Sequence, residues 1–136
     1  METENRPGPV PDEDSRPYWE ALAAHRLPIQ ACLTCEELRC PPLPACARCG
    51  GVAFRWQEAT GRGRIYSWVV AHRAIGNLTP EDLPRTILTV ELDEGCRLLG
   101  RLIGATRPKF DAVVTAEYVD HPGWTELAFV PLGVST

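Results

Sequence analysis

The chain has 136 residues, a mass of 15.0 kDa, a formal net charge of −4 and a pI near 5.4. That balance disfavours nucleic acid as a partner unless basic residues gather on one face, and no apolar run approaches the twenty or so residues of a membrane span. Hydrophobic content of 44% and charged content of 24% describe an ordinary globular chain, either one domain or a minidomain joined to a small one.

Residues 1–14 are rich in Pro, Glu and Asp without periodicity and read as a mobile tail. The opening Met1-Glu2-Thr3-Glu4-Asn5 lacks the basic and apolar regions of a secretory signal, so the expected location is cytoplasmic. A short amphipathic helix is predicted over 15–27. Asp14 or Ser15 caps it, Pro17 sits in its first turn, and Tyr18, Trp19, Leu22, Ala23 and Arg26 follow at helical intervals before Pro28. Its two large aromatics, Tyr18 and Trp19, either cover the neighbouring domain or offer a surface to another protein.

Residues 28–56 hold the strongest signal. Cys32-Leu33-Thr34-Cys35 and Cys46-Ala47-Arg48-Cys49 are two Cys-x-x-Cys knuckles ten residues apart, and two facing knuckles complete a tetrahedral four-thiolate site. Gly50-Gly51 lets the chain leave the second knuckle with positive φ and turn N–H groups toward the sulfurs. Pro41-Pro42-Leu43-Pro44 stiffens the return. In a reducing compartment these four cysteines are not disulfides, and a redox dithiol would need one pair on a βαβ pattern that is absent. The set Cys32, Cys35, Cys46 and Cys49 therefore predicts a structural metal, zinc ahead of iron, with every coordination position closed to chemistry. Two cysteines remain. Cys40 breaks the knuckle spacing and reads as a bystander; Cys96 opens an apolar strand and reads as a small buried hydrophobe.

From 57 to 136 the pattern is β. Strands are expected over 52–58, which leads into this region, 63–72, 86–92, 97–104, 111–119 and 125–130, with a hairpin turn at Asp93-Glu94-Gly95. Strict alternation puts Ile65, Ser67, Val69 and Ala71 on one face of 63–72 and Tyr66, Trp68, Val70 and His72 on the other. Gly100 in mid-strand suggests a bend or bulge. Five short strands with a long first connection predict a small closed barrel, an OB-fold ahead of an SH3-like one. The fold class is mainly β: a short helix, a rubredoxin-like zinc ribbon, then a five-stranded OB-fold barrel.

No nucleophile with an adjacent base appears. His25, His72 and His121 fall on the helix, at a strand end and in a turn, and single histidines in such places are more often structural than catalytic. Gly61-Arg62-Gly63 lacks the helix that a phosphate loop needs.

The ordered set of Pro17-Tyr18-Trp19-Glu20-Ala21-Leu22, the paired knuckles around Pro41-Pro42, Gly61-Arg62-Gly63-Arg64-Ile65-Tyr66-Ser67 and Val90-Glu91-Leu92-Asp93-Glu94-Gly95 resembles the DUF35 family of zinc ribbons joined to OB-folds. The family pattern has glycine where Glu36 and Ala112 stand. The resemblance implies a non-catalytic accessory subunit that binds a thiolase-like or lipid-transfer-protein-like partner and helps it hold acyl-CoA in a retro-aldolase, ketothiolase or acyltransferase complex, steroid side chains included. The long connection 73–84 and its neighbours then become the expected partner or acyl-CoA face, with Arg62, Arg64, His72, Arg73 and Arg85 as binding candidates, since guanidinium groups fork onto phosphate oxygens. The competing reading is a single-stranded nucleic-acid module using Tyr66, Trp68 and Trp124 as stacking platforms.

Overall fold

The computed structural model describes residues 9–40, 42–73 and 80–132. Helix α1 spans Arg16–Ala23, with Pro17 in its first turn and Tyr18, Ala21 and Leu22 buried. Ser15 sits at the N-cap, but its hydroxyl accepts from the Asp12 N–H at 3.1 Å instead of capping the helix. At the other end the Arg26 N–H reaches the Ala21 carbonyl and the His25 N–H the Leu22 carbonyl, at 2.9 and 2.8 Å. These two bonds form a Schellman motif with His25 in the left-handed position, φ 61°. The His25 ring is held there: it stacks on Tyr118 with centroids 5.0 Å apart, and its Nε2 lies 3.1 Å from the Asp120 carboxylate.

Strand β1 (Leu27–Cys32) pairs antiparallel with β2 (Leu38–Arg39) and with β3 (Phe54–Ala59), giving a three-stranded sheet in the order β2-β1-β3. All six residues of β1 are buried. Leu27 and Ile29 join the main core, while Cys32 carries the strand into the first knuckle.

The second sheet closes on itself. Strands β4 (Arg62–Ala71), β5 (Arg85–Leu92), β6 (Arg97–Leu102), β7 (Val113–His121) and β8 (Trp124–Pro131) run around a barrel in the order β4-β5-β6-β8-β7. Closure comes from β4 against β7 at Arg62 to Arg64, and from a short parallel pairing of β6 with β8. This is the OB-fold arrangement, a Greek-key barrel without free edges. A 3₁₀ turn at Pro80–Asp82 leads into β5, and the Leu83–Pro84 peptide is cis.

One core serves both sheets. Leu88, Val90, Leu92, Leu98, Leu102, Val114, Leu127 and Phe129 fill the barrel, and Tyr18, Leu22, Leu27 and Ile29 from α1 and β1 belong to the same cluster.

Three expectations are corrected. The alternation along β4 does not persist, because the register shifts between Ile65 and Ser67. The extra residue at that bulge changes the phase of the strand, so Ile65 is buried and Trp68 packs on the core, while Val69 is 65% exposed. Gly100, in contrast, lies in unbroken register. A Cβ there would stand 2.6 Å from the Phe129 ring, so glycine is required by close packing and not by a bulge. Finally, Cys40 is no bystander and Cys96 no isolated hydrophobe: the two are joined in a disulfide across 56 residues of sequence. It links the end of β2 to the residue before β6, and hence the ribbon to the barrel.

Candidate functional site

The four knuckle cysteines converge. The sulfurs of Cys32 and Cys49 lie 3.7 Å apart and those of Cys35 and Cys46 3.6 Å apart, and all four fall within 4.8 Å of one another. A tetrahedron with metal–sulfur bonds of about 2.3 Å has edges of about 3.8 Å, close to the two sulfur pairs, so the donor set suits one zinc ion. The zinc-ribbon architecture and this clustering together support structural zinc.

Local backbone shapes each knuckle. After the first, Glu36 takes up the left-handed conformation at φ 69° that glycine would adopt freely, and its N–H donates to the Cys32 carbonyl at 2.9 Å. After the second, Gly50 has φ 78° and donates to the Cys46 carbonyl at 2.8 Å. Backbone N–H groups of Arg48, Cys49 and Gly51 point at sulfur, at 3.3, 3.5 and 3.4 Å.

These donors stabilise thiolate. The N–H groups of Cys35 and Thr34 bring the Cys32 thiol down to about 6, and the Cys49 N–H lowers Cys46 against the opposing effect of burial. Cys35 moves the other way. Although the Glu37 N–H favours its charge, burial and the neighbouring sulfurs push it up to about 12. Crowded thiolates cannot all ionise alone, and a divalent cation reverses that restraint. Four sulfurs from the chain fill a tetrahedral ion's coordination, so the centre builds structure and leaves no position for substrate.

The structure separates the five candidate residues for acyl-CoA or partner binding into two groups. Arg62 and Arg64 lie exposed at the start of β4. The Arg62 Nε is 3.8 Å from an Asp93 carboxylate oxygen, and Arg64 donates to the Asp111 carbonyl at 3.0 Å. His72 and Arg73 are exposed past the other end of that strand, and Arg85 opens β5 opposite Ala71. At about 3.3 Å per residue the two groups are separated by roughly 30 Å measured along the strand. The segment 74–79 of the connection lies outside the described residues.

Arg85 belongs to a charge cluster that the sequence did not reveal. The Glu126 carboxylate receives a fork from Arg101 at 2.9 and 3.0 Å, lies 2.9 Å from the His121 Nε2, and sits 3.9 Å from Arg85, which also meets Asp82 at 3.5 Å. Burial opposes the Glu126 charge, but the hydrogen bonds from Arg101 and His121 and the nearby guanidiniums outweigh it and hold the carboxyl below its ordinary value. The cluster borders a surface cavity of about 490 Å³ lined by Asp82, Arg85, Thr86 and Arg101 among others.

Of the helix pair, Tyr18 is 6% exposed and Trp19 half-buried, the two rings meeting edge to face at 5.3 Å. The three aromatics considered for base stacking are each engaged on one side. Arg97 covers Tyr66 at 3.6 Å, Phe110 meets Trp68 at 4.4 Å, and His121 stacks on Trp124 at 4.5 Å. Among the described residues no helix is long and apolar enough to cross a membrane.

Comparison with known proteins places this geometry. Residues 19–55 match the family model of the ChsH2 rubredoxin-like zinc ribbon domain, and residues 56–119 that of the ChsH2 C-terminal OB-fold domain. A solved structure described as "Ltp2-ChsH2(DUF35) aldolase" superposes with a TM-score of 0.79 at 33% identity, covering 91% of this chain and 98% of that one. A DUF35 protein of unknown function from Sulfolobus solfataricus superposes with a TM-score of 0.60 at 16% identity over 88% and 85% of the two chains, which supports the fold alone. Among curated proteins, a probable enoyl-CoA hydratase alpha subunit of Thermomonospora curvata is 38% identical over 106 residues, 78% of this chain. A 3-oxo-4,17-pregnadiene-20-carboxyl-CoA hydratase alpha subunit of Mycobacterium tuberculosis is 36% identical over 125 residues, 90% of this chain. The chain spans only 33% and 39% of those two relatives. With its ribbon, its barrel and a relative matched over nearly its whole length, the chain belongs to the DUF35 family.

Proposed function

We propose that this chain is a zinc-stabilised, non-catalytic accessory subunit of an acyl-CoA enzyme complex. It docks onto a thiolase-superfamily or lipid-transfer-protein-like partner and helps that partner hold its thioester. The observation that carries the reading is the likeness, at 33% identity and over nearly all of both chains, to the DUF35 chain described as part of an aldolase. Its metal centre is built from four protein sulfurs and has no position for a reactant. The curated relatives are named for CoA thioesters, one of them carrying a steroid-derived acyl group. The substrate class proposed is therefore an acyl-CoA, with steroid side-chain thioesters the first to test.

We assign the two arginine groups, which stand toward opposite ends of β4, to different roles. Arg73 follows the end of β4 that leads into the long connection, Arg85 pairs at that end and lines the cavity shared with Arg101, and both are assigned to the thioester side. Arg62 and Arg64 are assigned to partner contacts. Co-expression with a thiolase-superfamily protein, followed by affinity capture and an assay for cleavage of a β-hydroxyacyl-CoA, tests the reading. A stable complex whose activity disappears when this chain is omitted is expected. A partner that is soluble and fully active alone, or turnover of acyl-CoA by this chain unaided, overturns it.

A further inference from the structure

Arg39 is a buried cation that no ligand role explains. It is 2% exposed, lies in β2 opposite Gln30, and has no carboxylate within ion-pair distance among the described residues. Its guanidinium donates to the carbonyls of Leu43 at 3.4 Å, Gly51 at 3.1 Å and Ala53 at 3.3 Å, and stands 5.2 Å from the centre of the Phe54 ring. Its Nε is buried without an acceptor. Carbonyl dipoles satisfy hydrogen bonds but do not cancel a charge, and a buried charge without an opposite one is strongly disfavoured.

The opposite charge is close at hand. Four thiolates around a divalent ion carry a net charge of about −2, also held partly out of water. The link between the two is short: the Gly51 carbonyl that accepts from Arg39 also accepts from the Cys46 N–H at 2.8 Å, and the Gly51 N–H donates to the Cys49 sulfur at 3.4 Å. One residue, Gly51, thus joins the guanidinium to two of the four ligands through its carbonyl and its N–H. The same guanidinium gathers Leu43, Gly51 and Ala53, which bracket the second knuckle on both sides.

We propose that Arg39 is the internal counter-charge of the four-thiolate centre and the tie that sets its return loop, so that it governs how tightly the metal is held. Neutralising part of the −2 charge lowers the cost of holding that charge partly out of water. Fixing Gly51 keeps an N–H donor aimed at Cys49. Arg39 is in this sense a positioning residue for the centre and touches no substrate.

The test compares the full-length chain with Arg39→Met, which keeps bulk and loses charge, with Arg39→Lys, which keeps charge and loses the fork, and with Arg55→Met, an exposed arginine of the same sheet. Zinc release to a chromogenic chelator is timed, and the cobalt(II)-loaded proteins are titrated with acid while the thiolate-to-metal absorption is followed. Arg39→Met should lose zinc about tenfold or more faster, in the range seen when outer-shell partners are removed, and should release cobalt at higher pH. Arg39→Lys should release cobalt at the wild-type pH, and Arg55→Met should match wild type in both readouts. Wild-type behaviour of Arg39→Met overturns the proposal. If that variant does not accumulate, Arg39→Lys decides: release at the wild-type pH supports the counter-charge role, and release at clearly higher pH removes it.

Discussion

Two residues that follow the knuckles show how one backbone requirement is met by different side chains. Gly50 and Glu36 both stand in the left-handed region, at φ 78° and 69°. Only glycine does so without strain, since an L side chain there costs about 1–2 kcal/mol. Gly50→Ala should therefore lower stability by about that amount even though nothing lies within 4 Å of the added Cβ. Glu36→Gly should be neutral or raise stability by up to about 1 kcal/mol, the relieved strain being offset by the entropy of a freer unfolded chain. Thermal unfolding of the zinc-loaded variants measures both. The knuckles themselves were readable from spacing, because a Cys-x-x-Cys turn is decided by its own few residues. The role of Arg39 was not, because a single arginine after a leucine carries no mark of burial; only the fold around Gly51 and Phe54 supplies it.

At the scale of elements, local alternation located the five barrel strands and the Asp93-Glu94-Gly95 hairpin, since these signals are set by neighbours in sequence. What alternation missed was a change of phase. The bulge between Ile65 and Ser67 arises from how β4 meets β5, and nothing in the residues of β4 alone announces it. The Cys40–Cys96 bridge was missed for a related reason, since partners 56 residues apart are brought together only by the complete barrel. Replacing both cysteines with serine should lower stability by about 2–4 kcal/mol, the usual worth of a bridge closing a long loop, measured by denaturant titration under non-reducing conditions. Adding reductant should bring the parent chain toward the double variant. The cluster that β5, β6, β7 and β8 bring together around Glu126 makes a separate prediction for acid. Glu126 is held below its ordinary value near 4.5, so its contribution is present above that pH and lost as pH falls through the lowered folded value. Glu126→Gln should be less stable than the parent at neutral pH, and its melting temperature should fall less steeply through the acid range.

For the whole molecule, the shared core matters more than the division into ribbon and barrel. Tyr18, Leu22, Leu27 and Ile29 lie in one cluster with Leu88, Val90 and Phe129, so the two parts should melt together. Metal binds the folded form and stabilises it by mass action. Chelation should therefore move a single calorimetric transition to lower temperature, with no separate low-temperature peak for the ribbon. The resemblance in the sequence led to the family because it rests on short ordered motifs. It did not reveal that Arg85 joins Arg101, His121 and Asp82 around Glu126, because those residues meet only when the barrel closes.

The cystine has one more consequence. Because it loops the chain from the residue after the ribbon's small strand to the edge of the barrel hairpin, a protease that nicks any peptide bond between those two half-cystines leaves a clipped molecule whose fragments stay tethered. On a denaturing gel it keeps the mass of the uncut chain until a thiol is added, and only then does it separate into two bands.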